Sequence, residues 1–159
     1  MSITARVIVA SNRAAAGVYA DTSGPRLVAG LRELGCVVDD DPVVVPDGEP
    51  VAEALRRAVA DGVDVVLTSG GTGVTPTDRT PEATRGLLDF EIPGIAEAIR
   101  AHGTAKGVAT AALSRGLAGV VGQALVVNLP GSRGGVKDGL AVVVPLLRHA
   151  VEQVVGSDH

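Results

Sequence analysis

The sequence has no tryptophan, one tyrosine and one phenylalanine. That scarcity removes the stacking platforms on which proteins lay single-stranded nucleic acid. It also dictates the core: hydrophobic residues make up 46% of the chain and aromatics 1%, so Val, Leu, Ile and Ala must fill the interior. Such a composition suits buried parallel strands covered by helices. Cys36 is the only cysteine, which excludes an intramolecular disulfide and a cysteine zinc site. It is expected as a small buried hydrophobe on a strand. Positive charge is also short, 14 Lys and Arg against 18 Asp and Glu for a net charge of −4. A general nucleic-acid binder that neutralises many phosphates is thereby excluded, and an anionic ligand must be met by a local site. Every apolar run is broken by Gly, Pro or charge well before membrane-spanning length, and MSITARVIVASN is too short for a secretory core. These features predict a cytoplasmic protein with neither a nucleic-acid nor a membrane partner. There is no repeat or linker, and 159 residues fit one domain over 1–159.

What is present is an alternation of strand and helix signals. ARVIVAS at 5–11 reads as a buried strand, followed by a helix capped at Thr22 or Ser23, with Pro25 in its first turn and Gly35 at its end. Segment 36–45 returns to β-branched residues, and PDGEP at 46–50 is turn chemistry. Val51, Ala54, Leu55, Ala58 and Val59 form the stripe of an amphipathic helix closed by Gly62. VDVVLTS at 63–69 is a third strand. This order implies an α/β fold, a mostly parallel sheet with helices on both faces. Thr80 is expected to cap the next helix, with Pro81 at its first position and Glu82 in its first turn. A helix over 92–103, a Gly- and Ala-rich stretch from 108, a strand in QALVVNLP and a helix from about Val136 to Val155 complete the chain. Pro145 is expected to kink or divide that last helix.

The third strand ends in the sequence LTSGGTGVTPTDRTPEAT. In an open α/β sheet, ligands sit beyond the carboxyl ends of the strands, where Gly70, Gly71, Thr72 and Gly73 fall. Glycines let backbone N–H groups converge on an anion, Ser69, Thr72, Thr75 and Thr77 add hydroxyls, and the following helix adds its N-terminal dipole. The arrangement suits a phosphate-bearing ligand; the alternative is a glycine-rich turn joining strand to helix. It matches neither the Walker pattern nor the dinucleotide fingerprint. Asp78 follows the loop, and Asp47 follows the second strand in VVVPDGEP. If the strands are parallel neighbours, both carboxylates emerge at the same end of the sheet. There they are suited to hold Mg²⁺ or to position a hydroxyl or water; the alternatives are a Pro-Asp-Gly turn at Asp47 and a turn or capping acceptor at Asp78.

SGGTGVTPTDRTPEAT, EIPGIAEAI, ALSRGLAG and VVNLPGS, with SNRAAAGVYADTSGP and VVVPDGEP before them, closely resemble the molybdenum-cofactor biosynthesis proteins of the Mog and MoaB type. The resemblance covers nearly the whole chain. It implies a compact α/β domain, a homotrimer, that binds molybdopterin and, in Mog-type members, uses Mg-ATP to adenylylate its terminal phosphate with release of pyrophosphate. It also brings a molybdenum insertase into view as a partner. Asp47 and Asp78 match the family's two essential aspartates and are the expected catalytic residues and candidate metal ligands. Ser69 and the Gly70, Gly71, Thr72, Gly73 loop would cradle phosphate, and Ser114 matches a serine at the pterin site. Asn128, Pro130, Gly131 and Ser132 match a loop that helps wall the pocket. Arg115, inside a matched motif, leads the candidate cations ahead of Arg13, Arg79 and Lys137. Three departures stand out: Asn12 where many relatives have Asp, Arg133 where they carry Pro, and Arg79 after Asp78 rather than before it. The resemblance equally allows a MoaB-like molybdopterin-binding paralogue without transfer activity.

Overall fold

A computed structural model describes residues 2–157. In chain order they form β1 (Thr4–Ala10), α1 (Asn12–Ala15), α2 (Ser23–Glu33), β2 (Val37–Val38), β3 (Val43–Val45), α3 (Glu49–Ala60), β4 (Val65–Ser69) and α4 (Thr80–Arg85). There follow β5 (Phe90–Glu91), α5 (Pro93–Ala105), a 3₁₀ turn (Ala109–Leu113), β6 (Ala118–Val121), β7 (Ala124–Leu129) and α6 (Arg133–Val154). The strands join one sheet in the order β2-β1-β4-β7-β6-β5, with β3 also paired to β1. The pairs among β1, β2, β3, β4 and β7 are parallel, whereas β6 runs antiparallel to both β7 and β5.

Strand side chains alternate between the two faces, and the core divides accordingly. Val7 and Val9 of β1, Val65 and Leu67 of β4 and Val127 of β7 pack beneath α2, α5 and α6. Ile8, Ala10, Val66 and Val126 pack on the opposite face, beneath α3 and α4. Tyr19 and Phe90 are both exposed, so the interior is aliphatic, as the composition requires. Cys36 is buried, and that burial raises its thiol pKa.

The structure corrects the expected strands in two places. Segment 36–45 is two short strands: β2 pairs with Thr4 and Ala5, β3 with Ile8 to Ala10. Asp39, Asp40, Asp41 and Pro42 separate them, three like charges followed by a residue with no N–H to donate. The Gly- and Ala-rich stretch contains β6, joined to β7 by the two-residue turn Gly122-Gln123, with Gly122 at φ +59°. Pro145 lies within α6 without dividing it. Pro145 and Ala141 are both exposed, so the carbonyl that loses its partner faces water, while Val136, Val143, Leu147 and Val151 bury the helix on either side.

Chain direction across the sheet positions the site. From β1 the chain moves outward to β2 and β3, then returns past β1 to β4 and on to β7. The order therefore reverses between β1 and β4, and a crevice opens beyond their carboxyl ends.

Candidate active site at the strand exits

Three strand exits meet where the order reverses. Gly70, just past β4, has φ +93°, and an added Cβ would lie 2.4 Å from the Ala10 carbonyl oxygen at the end of β1. Its N–H donates to the Leu129 carbonyl at the end of β7 (3.0 Å). A Cβ at Gly131 would lie 3.1 Å from Gly70 Cα. The approach is closer than side chains allow, so glycine is required by the backbone itself.

Asp47, at the exit of β3, organises the next layer. Its Oδ2 accepts the Arg79 N–H (2.9 Å), and its Oδ1 accepts the Thr80 hydroxyl (2.8 Å) and the Gly48 N–H (2.7 Å). The Asp47 N–H donates to Asn12 Oδ1 (3.0 Å), and the Thr80 N–H to the Gly71 carbonyl (3.2 Å). Thr80 is thus the first residue of α4 and not its cap; Arg79 holds the cap position without a side-chain bond. The carboxylate of Asp47 takes up the start of α4, so that six-residue helix has no free end to present to a ligand.

Asp78 is placed differently. Asp78 lines the cleft; its Oδ2 accepts the Thr75 N–H (3.0 Å), while its Oδ1 accepts no hydrogen bond from the described residues. Arg115 ties the segments around it together. The Arg115 N–H donates to the Thr72 carbonyl (2.8 Å), Nε to the Gly73 carbonyl (2.8 Å) and Nη2 to the Asp78 carbonyl (3.1 Å), while Nη1 pairs with Glu82. That hydrogen bond holds the Glu82 carboxyl below its ordinary pKa. On the far side, Arg100 Nη1 donates to the carbonyls of Ser114 (3.2 Å) and Gly116 (3.1 Å).

These loops enclose a cleft of about 360 Å³. Of the residues expected at the site, Gly70, Gly71, Thr72, Gly73, Asp78, Ser114, Pro130, Gly131 and Ser132 line it together. Val108, Ala111 and Leu113 supply an apolar wall, and Gly134, Gly135 and Asp138 of α6 complete it. A second cleft of about 290 Å³ lies at the β1–β4 crevice; Ser11, Tyr19, Asp21, Thr22, Ser23 and Ser69 line it with Gly70 and Gly131, which both clefts share.

Four expected residues are engaged within the protein. Ser69 is buried, and its hydroxyl donates to the Pro130 carbonyl (3.2 Å). Asn128 is 3% exposed; its Nδ2 donates to the hydroxyls of Thr68 (2.9 Å) and Thr84 (3.0 Å), and its Oδ1 accepts the Leu117 N–H (3.0 Å). Asp47 and Arg115 brace the loops. Among the other cations, Arg13 stacks over Tyr19 at 5.5 Å from the ring centroid, and Arg79 and Lys137 are exposed. Sequence reasoning passed over Asp138 and Arg100; the only trace of the first is an acid in the second turn of a largely apolar helix, and of the second nothing beyond an arginine on a helix.

Fold and site together define an open-sheet α/β ligand-binding domain, with its clefts at the switch point and the adjoining strand exit. The family model described as "Probable molybdopterin binding domain" matches residues 6–149, and the chain belongs to that family. A Mog protein structure from Mycobacterium ulcerans superposes with a TM-score of 0.90 at 52% identity, covering 96% of this chain and 99% of that one. A molybdopterin adenylyltransferase of Helicobacter pylori is 34% identical over 95% of this chain and 87% of its own. A molybdenum cofactor biosynthesis bifunctional protein of Synechococcus elongatus is 37% identical over 99% of this chain. The chain spans about half the length of that relative, 49%.

Proposed function

We propose that residues 1–159 form one molybdopterin-binding domain that works in molybdenum cofactor biosynthesis as an adenylyltransferase, moving AMP from Mg-ATP to the terminal phosphate of molybdopterin with release of pyrophosphate. The observation that carries this reading is the pair of adjoining clefts that share Gly70 and Gly131. A transferase must hold two substrates with their reacting phosphates at one seam, and this seam is built from glycine backbone. The name of the H. pylori relative supports the chemistry.

In the reaction a pterin phosphate oxygen bonds to the α-phosphorus of ATP as the bond to the pyrophosphate oxygen breaks. A phosphate dianion needs no general base, so alignment and charge compensation carry the catalysis. Among the described residues no histidine lines either cleft. The apolar wall of the larger cleft takes the pterin, and the polar cleft at the β1–β4 crevice takes the nucleotide. Ser114 and Ser132 line the first.

Beside the glycine loop, the donor set fits magnesium at Asp78. Magnesium is held by one or two carboxylates together with substrate phosphates, and Asp78 Oδ1 offers such an oxygen. Asp47 accepts three hydrogen bonds from the protein and serves better as a positioning residue. When bound, the ion would offset charge between the two phosphates. Homotrimer assembly, a cytoplasmic location and hand-over to an insertase belong to the same reading.

Incubation with molybdopterin, ATP and Mg²⁺ tests it: adenylylated pterin and pyrophosphate should appear in equal amounts. Pterin binding without either product would instead favour the second reading, a binding paralogue without transfer. That alternative draws on the structural employment of Asp47.

A further inference from the structure

Asp138 is the feature of the larger cleft that phosphate chemistry does not explain. It lies in the second turn of α6, its side chain is 9% exposed, and it forms part of the cleft lining. Its Oδ1 accepts from Lys106 Nζ (2.7 Å) and faces His102 Nε2 at 3.6 Å. Its Oδ2 accepts no hydrogen bond from the described residues. Asp138, Ala111 and Ser114 also line a recess of about 20 Å³ at the back of the cleft. The carboxylate therefore belongs to the inner wall. Two large apolar side chains of the same cleft, Val108 (47%) and Leu113 (52%), are exposed.

Among the described residues no buried side-chain oxygen or nitrogen lacks a partner, so the open oxygen of Asp138 is accessible and stands ready to accept from a ligand donor. It would repel a phosphate, so it does not belong to the anion-holding end of the cleft at Gly70–Gly73. What fits is a flat heteroaromatic ring whose edge carries hydrogen-bond donors and whose faces meet Val108 and Leu113. A 2-amino-4-oxo pterin has that edge, with an exocyclic amine and a ring N–H side by side, and a carboxylate accepts from both. We propose that Asp138 is the residue that recognises the pterin ring, reading its amine-bearing edge from the inner wall while the phosphate is held at the glycine loop. Lys106 and His102 are its positioning partners, fixing the carboxylate from α5. The inference rests on the molybdopterin reading of the cleft and adds to it the basis of ring specificity.

The test uses the intrinsic fluorescence of 6-carboxypterin and of 6-carboxylumazine, which has a carbonyl in place of the amine. Each is titrated with the wild-type chain, Asp138→Asn and Lys106→Gln. The wild type should bind the pterin at least tenfold more tightly than the lumazine, because the lumazine points an acceptor at an acceptor. Asp138→Asn should lose that preference, and Lys106→Gln, which loosens the carboxylate, should reduce it. Equal affinity of the wild type for the two rings overturns the proposal, and that comparison needs no variant to fold. A preference that survives Asp138→Asn overturns it as well and returns Asp138 to a structural ion pair between α5 and α6. The outcome is separable from the transferase question: ring preference without adenylyl transfer leaves Asp138's role standing and removes the activity, whereas transfer without ring preference does the reverse.

Discussion

The Oδ2 atom of Asp47 occupies the space that a side chain at Gly71 would need: an added Cβ would lie 2.2 Å from it, and 2.3 Å from the Thr80 hydroxyl. Gly71 also has φ +66°. The glycine of the loop and the aspartate of the preceding turn are therefore one device, in which a missing side chain makes room for a carboxylate that binds the start of α4. Gly71→Ala should lower the unfolding free energy by about 2 kcal/mol or more, roughly half from the left-handed backbone and the rest from displacing the carboxylate. Urea denaturation reads this directly; a loss below about 0.5 kcal/mol would show that the loop shifts at little cost.

Asp47→Ala removes the acceptor of three hydrogen bonds. Loss of a capping acceptor costs about 1 kcal/mol, and charged hydrogen bonds more, so about 2 kcal/mol of stability should disappear. Activity should fall along with it, through disorder of the glycine loop. If stability is unchanged while transfer vanishes, Asp47 acts on the phosphates and the bracing described above is incidental.

Asn128 tests the layer beneath the cleft. Truncation to Ala leaves the Leu117 N–H and the hydroxyls of Thr68 and Thr84 without this partner in a buried setting. The expected loss is about 2–3 kcal/mol by chemical denaturation, with little change in ligand affinity in the protein that remains folded. A drop in molybdopterin affinity at unchanged stability would move Asn128 into the pocket wall.

Glu82 gives the acid limb a direction. Its pKa is lowered, chiefly by the Arg115 hydrogen bond. The charged form is thus favoured in the fold: the contribution is fully present above the pH at which an unfolded glutamate ionises, and is lost as pH falls through the lower folded value. The pair is partly exposed, so the effect is small. Comparing wild type with Glu82→Gln, the difference in melting temperature should shrink as the pH is lowered through that window. A difference that stays constant would show that Glu82 acts through packing and not through charge.

The parts of this fold that periodicity controls were legible in the chain. Val7 and Val9 against Ile8 and Ala10 declare two buried faces, and the strand-helix alternation then requires a largely parallel sheet. The glycine loop was placed correctly at the exit of β4, because a run of glycines at the carboxyl end of a strand marks a close approach of backbone. The reason for Gly71 was not legible: its neighbour Asp47 is 24 residues away in sequence, and no local rule reports that its carboxylate fills the vacant space. A separation of 33 residues likewise hid the partner of Thr80, whose hydroxyl donates to Asp47 and does not cap its own helix. Arg115 was expected to face a ligand, yet three carbonyl oxygens and Glu82 engage it; an arginine's partners follow from which loops the sheet brings together. Asp138 passed unnoticed because its burial comes from α5 packing across α6 and leaves no periodic trace.

The most direct test concerns Asp78, the cleft carboxylate next to the glycine loop, whose Oδ1 is left open by the described residues. Molybdopterin affinity and the single-turnover rate of adenylylated pterin formation should be measured side by side for the wild type and Asp78→Asn. The account predicts that the rate falls by about 10²–10³, the scale of losing one electrostatic contact made at the transition state, with affinity changed by less than about threefold. An unchanged rate, or a loss of rate matched by an equal loss of affinity, would contradict it.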